Sequence, residues 1–230
     1  MPKSLQALID RHIQRGELMR RAASAAPPPC LALSRLPGSG GEDLGRRVAA
    51  RLGYEFYGIE LVDRIAGEAG VRRKLVEALD EHVRMAAERY AADCFQDAVF
   101  RESDYARALV QAITSIGEHG GAVLLGRGAP YVLRPKRTLR VLLVAPRDVR
   151  LARLAESHGI EPGAAEERLA HEERERREFL RHHFKVDPDD PALYDVTLNT
   201  ATLGADGAEA LLLRAFEQRF PAGSARSARA

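Results

Sequence analysis

The chain has 230 residues, 45% of them apolar and 30% charged, with a formal net charge of +2 and two cysteines, Cys30 and Cys94. That length suits one α/β domain with small additions, and the balance is that of a globular chain able to bury a core without staples. It excludes a disulfide framework or a cysteine metal site, gives no charge argument for a nucleic-acid polymer as partner, and leaves no apolar run long enough to span a bilayer.

Ser4 to Ala23 reads as one helix, with Leu5, Leu8, Ile9, Ile13 and Leu18 at roughly helical spacing. The run Ala25 to Pro29 then breaks the chain into an extended linker. Residues 1–29 are therefore expected as an amphipathic extension that packs back on the body, or docks on a partner or a second copy. They hold no signal-peptide core, and Asp10 and Glu17 argue against a transit peptide, so the chain is expected in the cytoplasm.

The body spans residues 30–220. It opens with the apolar run Leu31 to Leu33, the segment Ser34-Arg35-Leu36-Pro37-Gly38-Ser39-Gly40-Gly41, and an amphipathic helix with Leu44, Val48 and Leu52 on one face. A short strand, Tyr54 to Tyr57, and a helix from Ile59 to Ala69 follow. Arg72 to Glu118 contains no proline and reads as almost continuously helical; at that length it must fold into at least two helices, with the break near Ala91–Asp93 or Arg101–Asp104. Ala122 to Leu125 is a buried strand leading into Gly126-Arg127-Gly128, and Thr138 to Ala145 is another. Pro146 at the first helical position opens a helix from Arg147 to His158. Pro162 opens a highly charged helix to about His183, Tyr194 to Asn199 is the last strand, Gly204 to Phe220 the last helix, and 221–230 a disordered tail. Strands separated by helices predict a three-layer α/β fold, a parallel sheet with helices on both faces.

Three segments carry chemistry. The first is the loop holding Gly38, Ser39, Gly40 and Gly41. Glycines let a backbone approach a polyanion closely, and a helix N-terminus adds converging N–H groups and a favourable dipole. Against the pattern G-x-x-x-x-G-K-[ST], Arg35 takes the first glycine's place, Gly41 the lysine's and Glu42 the hydroxyl residue's. A tight strand-to-helix turn with no ligand needs some of the same glycines, so both readings stand at this point. The second is Arg127, set between glycines just past a strand, where open α/β sheets bind ligands and a guanidinium can fork onto phosphate or carboxylate; the alternative is a surface arginine in a turn. The third is the helix 162–183. Its acids and arginines at helical spacing normally mean a solvated face laced with ion pairs, whereas the functional alternative is a lid whose Arg174, Arg177 and Arg181 share one face. Tyr57 and Asp63, flanking the start of the second helix of the body, are candidates for an acceptor pocket. His182 and His183 point apart on a helix and have no third partner, so no metal-ligand set is assigned.

Taken in order, these segments resemble the cytidylate kinase-like family, a branch of the P-loop nucleoside monophosphate kinases. The resemblance rests on Ser34-Arg35 with Gly38 to Gly41, Leu52 to Tyr57 with Glu60-Leu61, Gly126 to Ala129, Val144 to Pro146, the arginine-rich helix and Tyr194 to Thr200, and runs from about Cys30 to Phe220. It implies a P-loop kinase fold with a helical lid at about 160–190, and transfer of a phosphoryl group from ATP, with Mg²⁺, to CMP, dCMP or a related small acceptor. By position, Arg35 and Gly38 to Gly41 would hold the donor phosphates, Arg127 would meet the acceptor phosphate, and Arg174, Arg177 and Arg181 would neutralise developing charge. Three departures stand out: the family's loop lysine falls on Gly41, its acid after the Gly-Arg pair falls on Gly128, and an acid usual after the Phe-Tyr pair falls on Gly58. Arg35 and Arg46 are the candidates to replace the lysine. The alternative is a catalytically degenerate nucleotide-binding or regulatory module.

Overall fold

The computed structural model describes residues 5–23, 27–79, 81–94 and 104–221, with the side chains of 19–23 and 91–94 outside the description. Five strands form one sheet: β1 (Cys30–Arg35), β2 (Glu55–Tyr57), β3 (Ala122–Leu125), β4 (Thr138–Val144) and β5 (Val196–Asn199). Their order is β2-β3-β1-β4-β5, and every pairing is parallel. β3 is buried along its whole length and β1 along all but its last residue, as strands covered on both faces must be.

Around the sheet lie α1 (Leu5–Ala23), α2 (Gly41–Leu52), α3 (Ile59–Gly67), α4 (Ala69–Glu77), α5 (Glu81–Cys94), α6 (Asp104–His119), α7 (Ala129–Val132), α8 (Arg147–His158), α9 (Pro162–Phe184) and α10 (Thr200–Arg219). The alternation of β1 divides the core. Leu31 and Leu33 face α2 and α10, meeting Leu44, Val48, Leu212 and Phe216. Cys30 and Ala32 face the other layer, where Ile9, Ile65, Leu109, Ile113 and Ile116 pack. α1 belongs to that layer: Leu5, Ile9 and Ile13 are buried, while Leu18, expected on the same face, is 65% exposed.

Several boundaries differ from the sequence reading. The stretch expected as at least two helices holds α4, α5 and α6 among its described residues; α5 runs unbroken through Ala91–Asp93, one of the expected breaks, and residues 95–103, where the other falls, lie outside the described residues, as do Ser4 and 222–230. α3 stops at Gly67 because Glu68 is extended. Pro146 is the N-cap of α8 rather than its first residue. α10 includes a first turn, Thr200 to Leu203, capped by the Asn199 side chain, which accepts the amides of Ala201 and Thr202; Gly204, non-helical at φ 66°, separates that turn from the helix proper, which starts where the sequence places it.

Candidate active site

Register brings the chemistry to one edge. Leu33 lies opposite Leu125, the last residue of β3, and the Gly126 amide donates to the Leu33 carbonyl at 2.8 Å. Ser34 and Arg35, the last residues of β1, therefore lie beside Gly126-Arg127, which follow β3, at the carboxyl edge of the sheet, where open α/β sheets bind ligands. The turn from β1 into α2 has no side-chain cap: Gly40 is the left-handed N-cap, and Leu44 N is the first amide to reach back, to Gly40 O at 3.2 Å. The amides of Gly41, Glu42 and Asp43 thus lack intrahelical acceptors, the usual makings of an anion site. The loop is fastened from behind. The Thr200 hydroxyl donates to Ser39 O at 2.8 Å, and buried Arg150 on α8 donates to Pro37 O at 3.3 Å.

A cleft of about 820 Å³ opens at this edge, floored by Ser34, Arg35, Gly126 and Arg127 and covered by α9 through Arg168, Glu172, Arg176 and Phe179. Arg35 crosses Gly41 on its way there: a Cβ on Gly41 would sit 2.9 Å from Arg35 Cδ and 3.2 Å from its Cβ. The arginine stem occupies the room that a side chain at position 41 would claim. Burial lowers the pKa of Arg35, Glu172 opposes this, and the nearby Arg176 and Arg127 lower it further; a guanidinium stays charged through such shifts. Arg46, the other candidate for the lysine's role, is exposed on α2, bonded to Glu42 at 2.6 Å and stacked 4.8 Å over Phe56. That pairing holds Glu42 on the helix surface; neither Glu42 nor Asp43 lines the cleft, and neither do Gly38, Ser39, Gly40 and Gly41, whose loop lies beside it behind the Arg35 stem.

Arg127 has φ 52°, between left-handed Gly126 and Gly128. Its Nε and Nη2 donate to the two carboxylate oxygens of Asp63 at 2.7 and 2.5 Å, and its guanidinium lies 5.4 Å over the Phe179 ring. Asp63 also accepts the Tyr105 hydroxyl at 2.7 Å. Gly128 is packed by α9: at φ 76° its missing Cβ would fall within the Phe184 ring.

Three sequence assignments change. Asp63, expected in the acceptor pocket, does not line the cleft and instead bonds Arg127, which does. Tyr57 is not a pocket residue. The alternation of β2 turns it into the core, fully buried and edge-on to His12 at 5.3 Å. The inward face of α9 is also different. Arg174 is exposed, Arg177 bonds Asp189 at 3.0 Å and Arg181 bonds Asp187 at 3.3 Å, and none of the three lines the cleft. The arginine that reaches in is Arg176, donating to Ser34 Oγ at 3.2 Å, Pro188 O at 3.1 Å and Asp189 at 3.0 Å. Burial would raise the Asp189 carboxyl, but Arg177 and Arg176 hold it below its ordinary value. Arg168 lines the same wall, two helical turns earlier. The signal for both is the inward stripe of Leu169, Phe179 and Leu180, which sets the phase of α9 and puts Arg176 one turn before Leu180.

The sequence profile of the cytidylate kinase-like family matches residues 30–202. A cytidylate kinase of Methanopyrus kandleri is 29% identical over 81% of this chain and 92% of its own length. One of Thermococcus kodakarensis is 28% identical over 86% of this chain and 94% of its own. Among solved structures, an uncharacterized protein from Eubacterium ventriosum superposes with a TM-score of 0.66 at 18% identity, covering 83% of this chain and 98% of the other. α1 precedes the matched residues.

Proposed function

This chain belongs to the cytidylate kinase-like family, and on that premise we propose that it moves the terminal phosphoryl group of MgATP to a nucleoside monophosphate of the CMP or dCMP type. The observation that carries the reading is Arg35 lying across Gly41, where the family's lysine falls, with its guanidinium beside those of Arg127 and Arg176. Phosphoryl transfer asks the protein for positioning and charge neutralisation rather than covalent chemistry, so a guanidinium can do the lysine's work.

In this scheme the free amides at the start of α2, those of Gly41 and Glu42, and the Arg35 guanidinium take the donor phosphates. Arg127 orients the acceptor phosphate. One of that phosphate's oxygens attacks the γ-phosphorus with its own electron pair, the bond to the β–γ bridging oxygen breaks, and ADP leaves. Arg176 and Arg168, in place of Arg174, Arg177 and Arg181, neutralise charge on the moving group from the α9 side; Arg177 and Arg181 tie α9 to Asp189 and Asp187. Among the described residues no three Asp, Glu, His or Cys side chains gather to hold a metal. Mg²⁺ would come with ATP, held mainly through the substrate phosphates, and would supply charge neutralisation there. The test is transfer from MgATP across a panel of nucleoside monophosphates, with CMP and dCMP expected as best acceptors; no turnover on any of them by folded protein would sink the proposal.

A second reading, a nucleotide-binding module without turnover, is favoured by Gly128, where the family's acid is replaced and Phe184 leaves no room for a side chain. Saturable ATP binding with no product on any acceptor would select it.

A further inference from the structure

We infer that Asp63 is a positioning residue that presents Arg127 to the acceptor phosphate, and that Tyr105 holds Asp63 in place. This rests on the phosphoryl-transfer reading and adds to it a specific residue pair on α3 and α6. Arg127 floors the cleft, whereas Asp63 is absent from its lining and touches the site through Arg127 alone. The guanidinium is gripped on three sides. Its backbone is fixed at φ 52° between two left-handed glycines, one edge is taken by both Asp63 oxygens, and one face of its plane lies over the Phe179 ring. A non-glycine residue in the left-handed region is uncommon and marks places where surrounding structure dictates the backbone.

The edge that Asp63 uses is Nε with one N–H of Nη2. A guanidinium has five N–H donors in a planar fork, so three remain, both on Nη1 and the outer one on Nη2, on the side away from the carboxylate. A long side chain that would otherwise sample many rotamers is thereby held with its free donors aimed as a set, and binding an anion no longer requires freezing it. Tyr105, near the start of α6, completes the arrangement by donating to Asp63 Oδ1, the oxygen that also receives Arg127 Nε. The opposite possibility is a carboxylate that competes with the acceptor phosphate for the same guanidinium, and the two predict opposite signs on removal of the charge.

The test uses the full chain, with CMP as probe by calorimetry in the absence of donor and by steady-state KM beside the KM for ATP. Asp63→Asn is expected to raise both the Kd and the KM for CMP about tenfold, with the KM for ATP within twofold. Asp63→Glu recovers most of that loss, and Tyr105→Phe shifts CMP binding in the same direction by about threefold. A readout that needs no turnover is the Arg127 Nε–H resonance, protected from exchange in the wild type and unprotected in Asp63→Asn. Unchanged or tighter CMP binding in Asp63→Asn overturns the inference while leaving the kinase reading intact. Should that variant fold poorly, Tyr105→Phe, altered at an exposed site, decides by the same signs. A wild type that takes up no nucleoside monophosphate overturns the kinase reading, and this inference with it.

Discussion

Arg35 and Gly41 act as one unit, because the stem of the first fills the room left by the second. Adding a methyl to a packed site costs about 1–3 kcal/mol when neighbours cannot move aside. Gly41→Ala should therefore destabilise by that amount in the wild type and by little in an Arg35→Ala background. A double-mutant cycle by urea denaturation reads the coupling, and additive losses would mean that the stem is not what fills the space. Arg35→Ala should also lower kcat/KM by about 10²–10³-fold, with Arg35→Lys recovering part of it. At Gly128 the family's acid cannot be restored. Gly128→Asp meets both a left-handed backbone and the Phe184 ring, so a loss of about 3 kcal/mol or more is expected in thermal denaturation; a near-neutral effect would show that Phe184 yields. The place of Arg127 at the sheet edge was legible from its position between glycines after a strand, whereas the absence of Gly38 to Gly41 from the cleft lining was not. Arg176 was not, because Arg174, Arg176 and Arg177 sit within one turn and only the packing of Leu169 and Leu180 says which points inward. Tyr57 misled because an aromatic before a helix looks alike in sequence whether its strand turns it into the core or into a cleft.

At the scale of elements, α9 is fastened to α8 by two ion pairs of the same length and different value. Arg150–Glu173 at 2.6 Å has side chains only 7% and 17% exposed, whereas Arg147–Glu166, also at 2.6 Å, has 47% and 56%. A buried charge that loses its partner is costly, while exposed pairs contribute little after screening and side-chain entropy. Glu173→Ala should lower stability by about 3 kcal/mol, since it strands Arg150 among the Ala145 and Pro37 carbonyls that it still bonds; Glu166→Ala should change it by less than about 0.5 kcal/mol. Equal effects in chemical denaturation would refute the burial argument. The sequence marks α9 as charged and long, but it gives all of its acid–arginine pairs the same weight, and the difference between a buried pair and a solvated one enters only with Arg150, which lies outside that helix. Helix and strand types followed from periodicity. Boundaries drifted where a side-chain cap such as Asn199, or an extended residue such as Glu68, decided them locally.

The whole molecule is asymmetric about its sheet. One layer is built from α2 and α10; the other includes α1, which precedes the residues that the family profile matches. The helix joins its layer through apolar residues and through one polar one, His12, which is 1% exposed, bonded through Nε2 to the Ile116 carbonyl at 3.3 Å, and ringed by His119 and Tyr57. Burial first, then His119, lowers the His12 pKa from 6.5 to about 3; the bond to Ile116 opposes this and Arg15 adds to it. The folded chain thus keeps His12 neutral while the unfolded chain takes up a proton below pH 6.5. The stabilisation is present in full above pH 6.5 and is lost progressively as pH falls towards 3, at up to about 1.4 kcal/mol per pH unit. Urea denaturation between pH 7.5 and 5 should show stability falling with a slope that includes about one proton from this site. His12→Gln, which keeps a donor for the Ile116 carbonyl, should remove that proton from the slope while lowering stability at pH 7.5. Identical slopes in the two proteins would place the acid sensitivity elsewhere.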